Sequence, residues 1–497
     1  MGSCRTLRRR RRHEHARLRV GAAAALLVGL AGAAPLAASA AGEREARGAP
    51  PRPHIVILLA DDLGWADVGY HGGGIPTPHI DALAASGVRL EHFYVWPVCS
   101  PTRAALLTGR YPIRYGLQGG VVVPHATFGL PVEERTLAAA LREVGYRTAI
   151  VGKWHLGHAA PQYLPLRRGF DHQYGHYNGQ VGYYSHRRLG GLDWHRDGVP
   201  LEEEGYATEL VGREAVRLIE GHDPATPLFL YLPFLAPHAP IVPPRGSVES
   251  KASVRAKYGA MVQSMDQAIG AVLAALEARG MREHTLVLFT SDNGGLPDLG
   301  ASNAPLRGGK YTPYEGGVRV PAVASWPGHL PAGAVREGMA HVVDWYPTLL
   351  GLAGASLDQP LALDGLDLWP MLAEGGPSPR QEMLLLSFRG WEALRVGRWK
   401  LIQHYPKLVD QMKRGERVPD WASLYDIEAD PTESHSLIAG KTGIFQDLAE
   451  RLKAYYAASA RELRAGRKGS FEAPAVWGVF PDPDAGSAAT PPSQEAP

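Results

Sequence analysis

Two pairs of oxygen-bearing residues follow apolar runs in this chain. His54–Ala60 (HIVILLA) leads into Asp61-Asp62, and Thr285–Thr290 (TLVLFT) leads through Ser291 into Asp292-Asn293. Three carboxylates and one amide form an oxygen-only donor set, which hard cations such as Ca²⁺ and Mg²⁺ prefer, whereas Zn²⁺ usually takes His or Cys. One Asp pair after a strand reads more simply as a cap or turn; two such pairs favour an ion site. Ca²⁺ is expected over Mg²⁺, because several converging protein oxygens suit the larger and less hydrated ion. Two further apolar runs also end on reactive groups. Arg147–Val151 runs into Gly152-Lys153-Trp154-His155, and Pro227–Phe234 leads to Pro237-His238-Ala239-Pro240.

Cys99 is the second candidate. The chain has two cysteines, Cys4 and Cys99. Cys4 lies in an Arg-rich start followed by an apolar run (Gly21–Leu36) and Ala38-Ser39-Ala40, the pattern of a cleaved export signal over residues 1–40. The mature chain then keeps one thiol and cannot form an internal disulfide. Ser100 and Pro101 suit the N-cap and first position of a helix continuing through Ala104–Thr108. Cys99 is thereby expected at a helix N-terminus, where free N–H groups favour an anion. Arg103 in the first turn offers a fork suited to a tetrahedral oxyanion. By spacing alone Cys99 is a nucleophile beside an anion site or a buried residue packed under a helix.

These groups need elements that bring them together. Helical spacing over 136–144, 207–220 and 257–279 alternates with the four apolar runs, which predicts an α/β domain with a largely parallel sheet between helix layers. In such sheets, ligands sit beyond the carboxyl ends of the strands, where all four runs deliver their polar residues. After about residue 375 the pattern changes to short strands at 382–388, 393–402 and 423–427 and a helix over 444–463, a smaller C-terminal α+β domain with an antiparallel sheet. The expected organisation is signal 1–40, linker 41–53, catalytic domain 54–378, C-terminal subdomain 379–465 and a disordered tail 466–497. Asn178, Ser185, His186 and Trp194 fall in a loop-rich, aromatic stretch that can line a substrate pocket. The formal charge of +2 becomes −5 once residues 1–40 are removed, which gives no reason to expect nucleic-acid binding. No stretch beyond the signal is long and apolar enough to suggest stable membrane association.

Cys99-Ser100-Pro101-Thr102-Arg103, followed by Leu107-Thr108-Gly109-Arg110, resembles the signature of type I sulfatases, members of the alkaline phosphatase-like superfamily. Asp61-Asp62-Leu63-Gly64, Gly152-Lys153-Trp154-His155-Leu156-Gly157, Pro237-His238-Ala239-Pro240, Ser291-Asp292-Asn293-Gly294-Gly295, Pro305-Leu306-Arg307-Gly308-Gly309-Lys310 and Glu315-Gly316-Gly317-Val318-Arg319 match that family in order. The resemblance runs from about residue 54 to Leu437. Arg167-Arg168-Gly169-Phe170-Asp171 and Tyr183-Tyr184-Ser185-His186 are most similar to the arylsulfatase B, or N-acetylgalactosamine-4-sulfatase, group.

The resemblance implies a sulfatase acting on aryl or carbohydrate sulfate esters, with N-acetylgalactosamine 4-sulfate suggested by the subgroup. It implies that a formylglycine-generating enzyme oxidises Cys99 to formylglycine before folding. The hydrated side chain at 99 would share the metal with Asp61, Asp62, Asp292 and Asn293 and attack sulfur. His155 becomes the base of the elimination step and His238 the acid for the leaving oxygen, while Lys153, Lys310 and Arg103 neutralise sulfate oxygens. Lys153, His238, Lys310, Ser185 and His186 would contact substrate, and the enzyme would be exported to the periplasm or medium. Two readings compete. One is a phosphonate monoester or phosphodiester hydrolase on the same fold; the other is a non-catalytic carbohydrate-binding scaffold. One metal site with two Lys, one Arg and two His suits the singly charged sulfate monoester, and the intact set argues against a retired scaffold.

Overall fold

The computed structural model describes residues 52–386, 390–404, 422–466, 468–469 and 471–480. The expected export signal, and the linker as far as Pro51, lie outside the described residues.

Five parallel strands form the centre of a ten-stranded sheet. Across the sheet they run 285–291, 54–60, 228–233, 147–153 and 172–176. The strand His54–Ala60 is fully buried, and its alternate residues feed two different cores. Ile55, Ile57 and Leu59 face one, with the helices Cys99–Thr108, Leu137–Glu143 and Trp345–Ala353. Val56, Leu58 and Ala60 face the other, with Pro78–Ala85, Ala207–Glu220 and Val254–Ala278. This is why the strand is apolar throughout rather than alternating. Each Ile or Leu so buried contributes about 1.5–3 kcal/mol. Antiparallel strands extend both sides, 322–325 beyond 285–291 and 195–196 beyond 172–176.

Register positions the site. Ala60 pairs with Ser291 and Leu59 with Pro233, so Asp61-Asp62 and Asp292-Asn293 leave the sheet side by side. Among the described residues no helix is long and apolar enough to cross a membrane.

Several elements depart from the sequence-based expectation. The helix expected over 257–279 is Val254–Ala278, because the Ser253 hydroxyl accepts the Ala256 N–H at 3.2 Å and starts it earlier. The strand expected over 393–402 is a hairpin, Trp391–Val396 against Trp399–His404, with Val396 facing Trp399 across Gly397-Arg398. An apolar stretch interrupted by two residues reads as one strand unless the turn is recognised. The final helix ends at Ala457, not residue 463. Within the expected tail, residues 475–477 dock instead: the Leu192 N–H donates to Ala475 O at 2.8 Å, and Trp477 is buried. One large indole outweighs the polar composition around it. The four-stranded antiparallel sheet (382–386, 391–396, 399–404, 422–426) shares its apolar residues with the main core through Leu384, Leu394, Leu401 and Leu424.

Candidate active site

The helix carrying Cys99 starts at Cys99 itself, with Val98 at the cap. Ser100, expected to cap it, does not. Its hydroxyl donates to His155 O at 2.8 Å and accepts the Val122 N–H at 3.1 Å. Ser100 therefore ties the Cys99 helix to the loop after the strand 147–153. Cys99 is buried, and its Sγ donates to Asp61 Oδ1 at 3.5 Å and accepts from Lys310 Nζ at 3.4 Å.

Around it the four strand ends converge. Ligand atoms of Asp61, Asp62, Cys99 and His238 all lie within 4.8 Å of one another. Lys153 Nζ donates to Asp61 Oδ2 at 2.5 Å, and Lys310 Nζ to Asp62 Oδ1 at 2.6 Å. Asn293 Nδ2 donates to Asp62 Oδ1 at 2.7 Å. Asp292 lies one step back, its Oδ2 accepting Arg103 Nε at 3.0 Å and Nη2 at 2.8 Å while Oδ1 accepts the Asp62 N–H at 3.3 Å. The Arg103 fork was expected to meet an oxyanion. It is engaged instead by Asp292 and by Lys153 O, and it is fully buried. Arg103 therefore positions Asp292 rather than facing solvent.

Burial and neighbouring charge set the protonation of these groups. Burial alone would raise the Asp62 carboxyl, but Lys310 and then His238 outweigh it and hold it below the usual range. Asp292 goes the other way, raised by burial and by the Asp61 carboxylate despite Arg103. Burial, then Asp292, pushes the Cys99 thiol up. His238 is lowered to about 3, by burial first. Its Nδ1–H donates to Ala239 O at 2.6 Å, so the neutral ring presents an unprotonated Nε2, 3.7 Å from Asp62 Oδ2. Burial and Lys153 hold His155 well below its ordinary value.

Two backbone outliers sit in this cluster. Asp62 (φ +67°) and His155 (φ +60°) occupy the left-handed region, which persists only where the surroundings impose it and is common at functional sites.

The loop segment behaves differently from its expectation. His186 is buried with its ring stacked on Trp194, centroids 4.5 Å apart, and Ser185 is exposed. Asn178 is buried and donates to Asp193 Oδ2 at 3.0 Å. Among the described residues, no hydrogen bond or ion pair links Ser185 or His186 to the cluster. Aromatic and His density reads alike for a pocket and for a packed layer, and here most of it is packing. Two further residues support the site: Tyr183, which the sequence places in a subgroup-like motif without this role, and Gly179. The Tyr183 hydroxyl lies 2.8 Å from His238 O and 3.1 Å from Leu235 O, holding the His238 loop. Gly179 lies against the His155 ring, where a Cβ would stand 2.4 Å from Nε2. Gly179 carries no local signal, and the motif that contains Tyr183 does not reveal this role.

The sulfatase family profile matches residues 53–355. The chain belongs to the sulfatase family. A second profile, described as N-sulphoglucosamine sulphohydrolase, C-terminal, matches residues 309–458 of this sulfatase. Human arylsulfatase A is 37% identical over 449 residues, covering 81% of this chain and 86% of that protein. Mouse arylsulfatase J is 36% identical over 454 residues, covering 81% and 76%. Human N-acetylgalactosamine-6-sulfatase is 39% identical over 355 residues, covering 66% and 67%. A crystal structure of Ps i-CgsB in complex with k-i-k-neocarrahexaose superposes with a TM-score of 0.75 at 31% identity, covering 83% of this chain and 95% of that one. The phosphonate monoester hydrolase of Agrobacterium radiobacter shares the fold, with a TM-score of 0.59 at 21% identity over 82% of this chain and 96% of that one.

Proposed function

We propose that this sulfatase is an exported enzyme that hydrolyses sulfate monoesters of aryl or carbohydrate alcohols, releasing the alcohol and sulfate. The supporting observation is the meeting of Cys99, Asp61, Asp62 and His238 within 4.8 Å, with Lys153 and Lys310 on the two carboxylates, the last of these joining Asp62 from 248 positions away.

The donor set fits a divalent cation. Asp61, Asp62, Asp292 and Asn293 are all buried, and Asn293 Oδ1 is buried without a hydrogen-bond partner among the described residues. Buried acceptors of that kind require a partner, and an all-oxygen set favours Ca²⁺ over Zn²⁺. These four residues and the side chain at 99 would hold the ion, which supplies a Lewis-acidic charge at the reacting centre. Formylglycine generated from Cys99 supplies, as its hydrate, a hydroxyl nucleophile that a raised, protonated thiol does not provide.

The remaining roles belong to side chains already in place. Lys153 and Lys310 ion-pair with Asp61 and Asp62 at rest; a bound sulfate competes for those ammonium groups, which then stabilise its oxygens. His238 Nε2, unprotonated at rest, faces the cluster; it takes up a proton from solvent when the ester binds and delivers it to the leaving oxygen. An anionic ester offsets Lys310 and Lys153, the charges that help to keep it neutral at rest. His155 is the base that removes a proton from the side chain at 99, held in orientation by Gly179. N-acetylgalactosamine sulfates are candidate substrates because the relatives include an N-acetylgalactosamine-6-sulfatase. A formylglycine-generating enzyme is the required maturation partner.

Intact-protein mass spectrometry at position 99, paired with turnover of 4-nitrophenyl sulfate and an aryl phosphonate, tests this. The expected result is a formylglycine mass and preference for the sulfate. Full activity with an unmodified thiol would overturn the nucleophile, and preference for the phosphonate would overturn the substrate class.

A further inference from the structure

We propose that a cleft beside Cys99 receives the leaving group of the ester and selects rings with apolar faces and little charge. The proposal rests on the sulfatase reading of the adjoining site. The cleft has a volume of about 870 Å³ and is lined by Val98, His125, Phe128, Tyr311, Trp391 and Leu463, among others. That volume falls in the upper part of the range for ligand pockets, ~300–1,000 Å³, so it has room for more than one ring.

The cleft is continuous with the reacting cluster along the chain. Val98 precedes Cys99, and Tyr311 follows Lys310. The Tyr311 N–H donates to Pro97 O at 2.8 Å, which locks these two segments side by side. Tyr311 holds φ +72°, a backbone state that a bulky residue adopts only at a cost. The residue is 47% exposed, with Lys310 Nζ 5.4 Å from its ring centroid. A large aromatic with left-handed backbone, half exposed on the cleft wall, is placed to meet a ligand there.

The other walls come from distant parts of the chain. Trp391 opens the hairpin of the small sheet. The segment after the last helix returns to the catalytic core, with the Ala460 N–H donating to Ile113 O at 2.9 Å and the Leu463 N–H to Gly116 O at 2.8 Å. The small sheet and this returning segment thus complete a cleft whose lining includes Val98 and Tyr311, the chain neighbours of Cys99 and Lys310. Among the described lining residues the one fixed cation is Arg464, and it is paired with Glu462 at 2.6 Å. A polyanionic chain would meet no uncompensated fixed charge on that wall, whereas aromatic side chains suit the apolar faces of rings.

The test uses the full-length Cys99→Ala protein, which cannot turn over, titrated calorimetrically with 4-methylumbelliferyl sulfate and separately with inorganic sulfate. Trp391→Ala and Tyr311→Asn are added in turn; asparagine tolerates the left-handed backbone but lacks the ring. Each is expected to weaken binding of the aryl ester by about tenfold or more, with Trp391→Phe restoring most of it and inorganic sulfate unaffected. In protein with Cys99 intact, KM for the same ester rises correspondingly. Its kcat/KM exceeds that of a uronate-bearing sulfated disaccharide by about tenfold or more. Binding and KM indifferent to both variants, or preference for the charged disaccharide, would overturn the assignment while leaving the sulfatase reading intact. Ring-dependent binding without turnover of any sulfate ester would overturn the sulfatase reading and leave the cleft assignment standing.

Discussion

Two clusters of buried charge lie within this chain, and they are built on opposite principles. One is the site at Asp61, Asp62, Cys99 and Asp292. The other joins the small sheet to the main domain: Lys400 ion-pairs with Glu315 at 2.8 Å and with Glu433 at 2.9 Å, the Tyr94 hydroxyl donates to Glu315 Oε2 at 2.6 Å, and Arg395 donates to that hydroxyl. Glu433 in turn accepts the Glu315 N–H at 2.7 Å. In the second cluster opposite charges interlock across two pieces of structure, and the arrangement serves attachment. In the first, carboxylates crowd together, and Asn293 Oδ1 and His155 Nδ1 lack hydrogen-bond partners among the described residues. Crowded carboxylates beside an open amide oxygen suit something that arrives, whereas carboxylates that share one buried cation suit attachment.

The largest expected effect separates the two outright. Cys99→Ala lowers turnover of aryl sulfate by at least about a thousandfold, while the melting temperature of the calcium-loaded protein stays close to that of the parent. A matching loss of stability would show that Cys99 is a core residue first.

Lys400→Ala acts in the reverse sense. It leaves Glu315 and Glu433 buried without their shared cation, which costs about 3–5 kcal/mol, measurable by denaturant unfolding. Lys153→Ala, by contrast, is expected to reduce kcat by about a hundredfold with a smaller loss of stability when the cation is present. Equal stability losses in the two variants would erase the distinction.

Removing divalent cations with a chelator is expected to abolish activity and lower the melting temperature, both restored by calcium. Saturation at a hundred times Kd corresponds to about 2.7 kcal/mol. A melting temperature indifferent to the chelator would argue that the carboxylates are satisfied by the lysines alone.

The smallest effect concerns pH on the attachment side. Burial raises the Glu392 carboxyl to about 7, with Tyr456 and Gln403 only partly offsetting it. Because the folded state holds that proton more tightly than the unfolded chain does, its contribution to stability is full below the ordinary carboxyl value near 4.5. The contribution is lost as pH rises through about 7. Glu392→Gln should therefore flatten the stability–pH profile between those values by roughly 1–3 kcal/mol, read from unfolding midpoints. An unchanged slope would mean that another group governs it.

The sequence alone determined what is local. The apolar runs 54–60 and 285–290 are short and continuous, as in strands buried on both faces, and their length and flanking residues favour strand over helix. The motifs that follow them supply the candidate ligands, and Cys99 stands at a helix start as its spacing requires. The roles of single side chains needed the tertiary structure. Arg103 turned inward to Asp292, Ser100 served His155 instead of capping its helix, and His186 packed on Trp194 rather than facing a pocket. The cleft wall at Tyr311, Trp391 and Leu463, and the support Gly179, carry no signal in their own neighbourhoods. A side chain's type limits what it can bond to, but which partner it meets depends on register and on segments returning from hundreds of residues away. Local spacing does not encode those contacts.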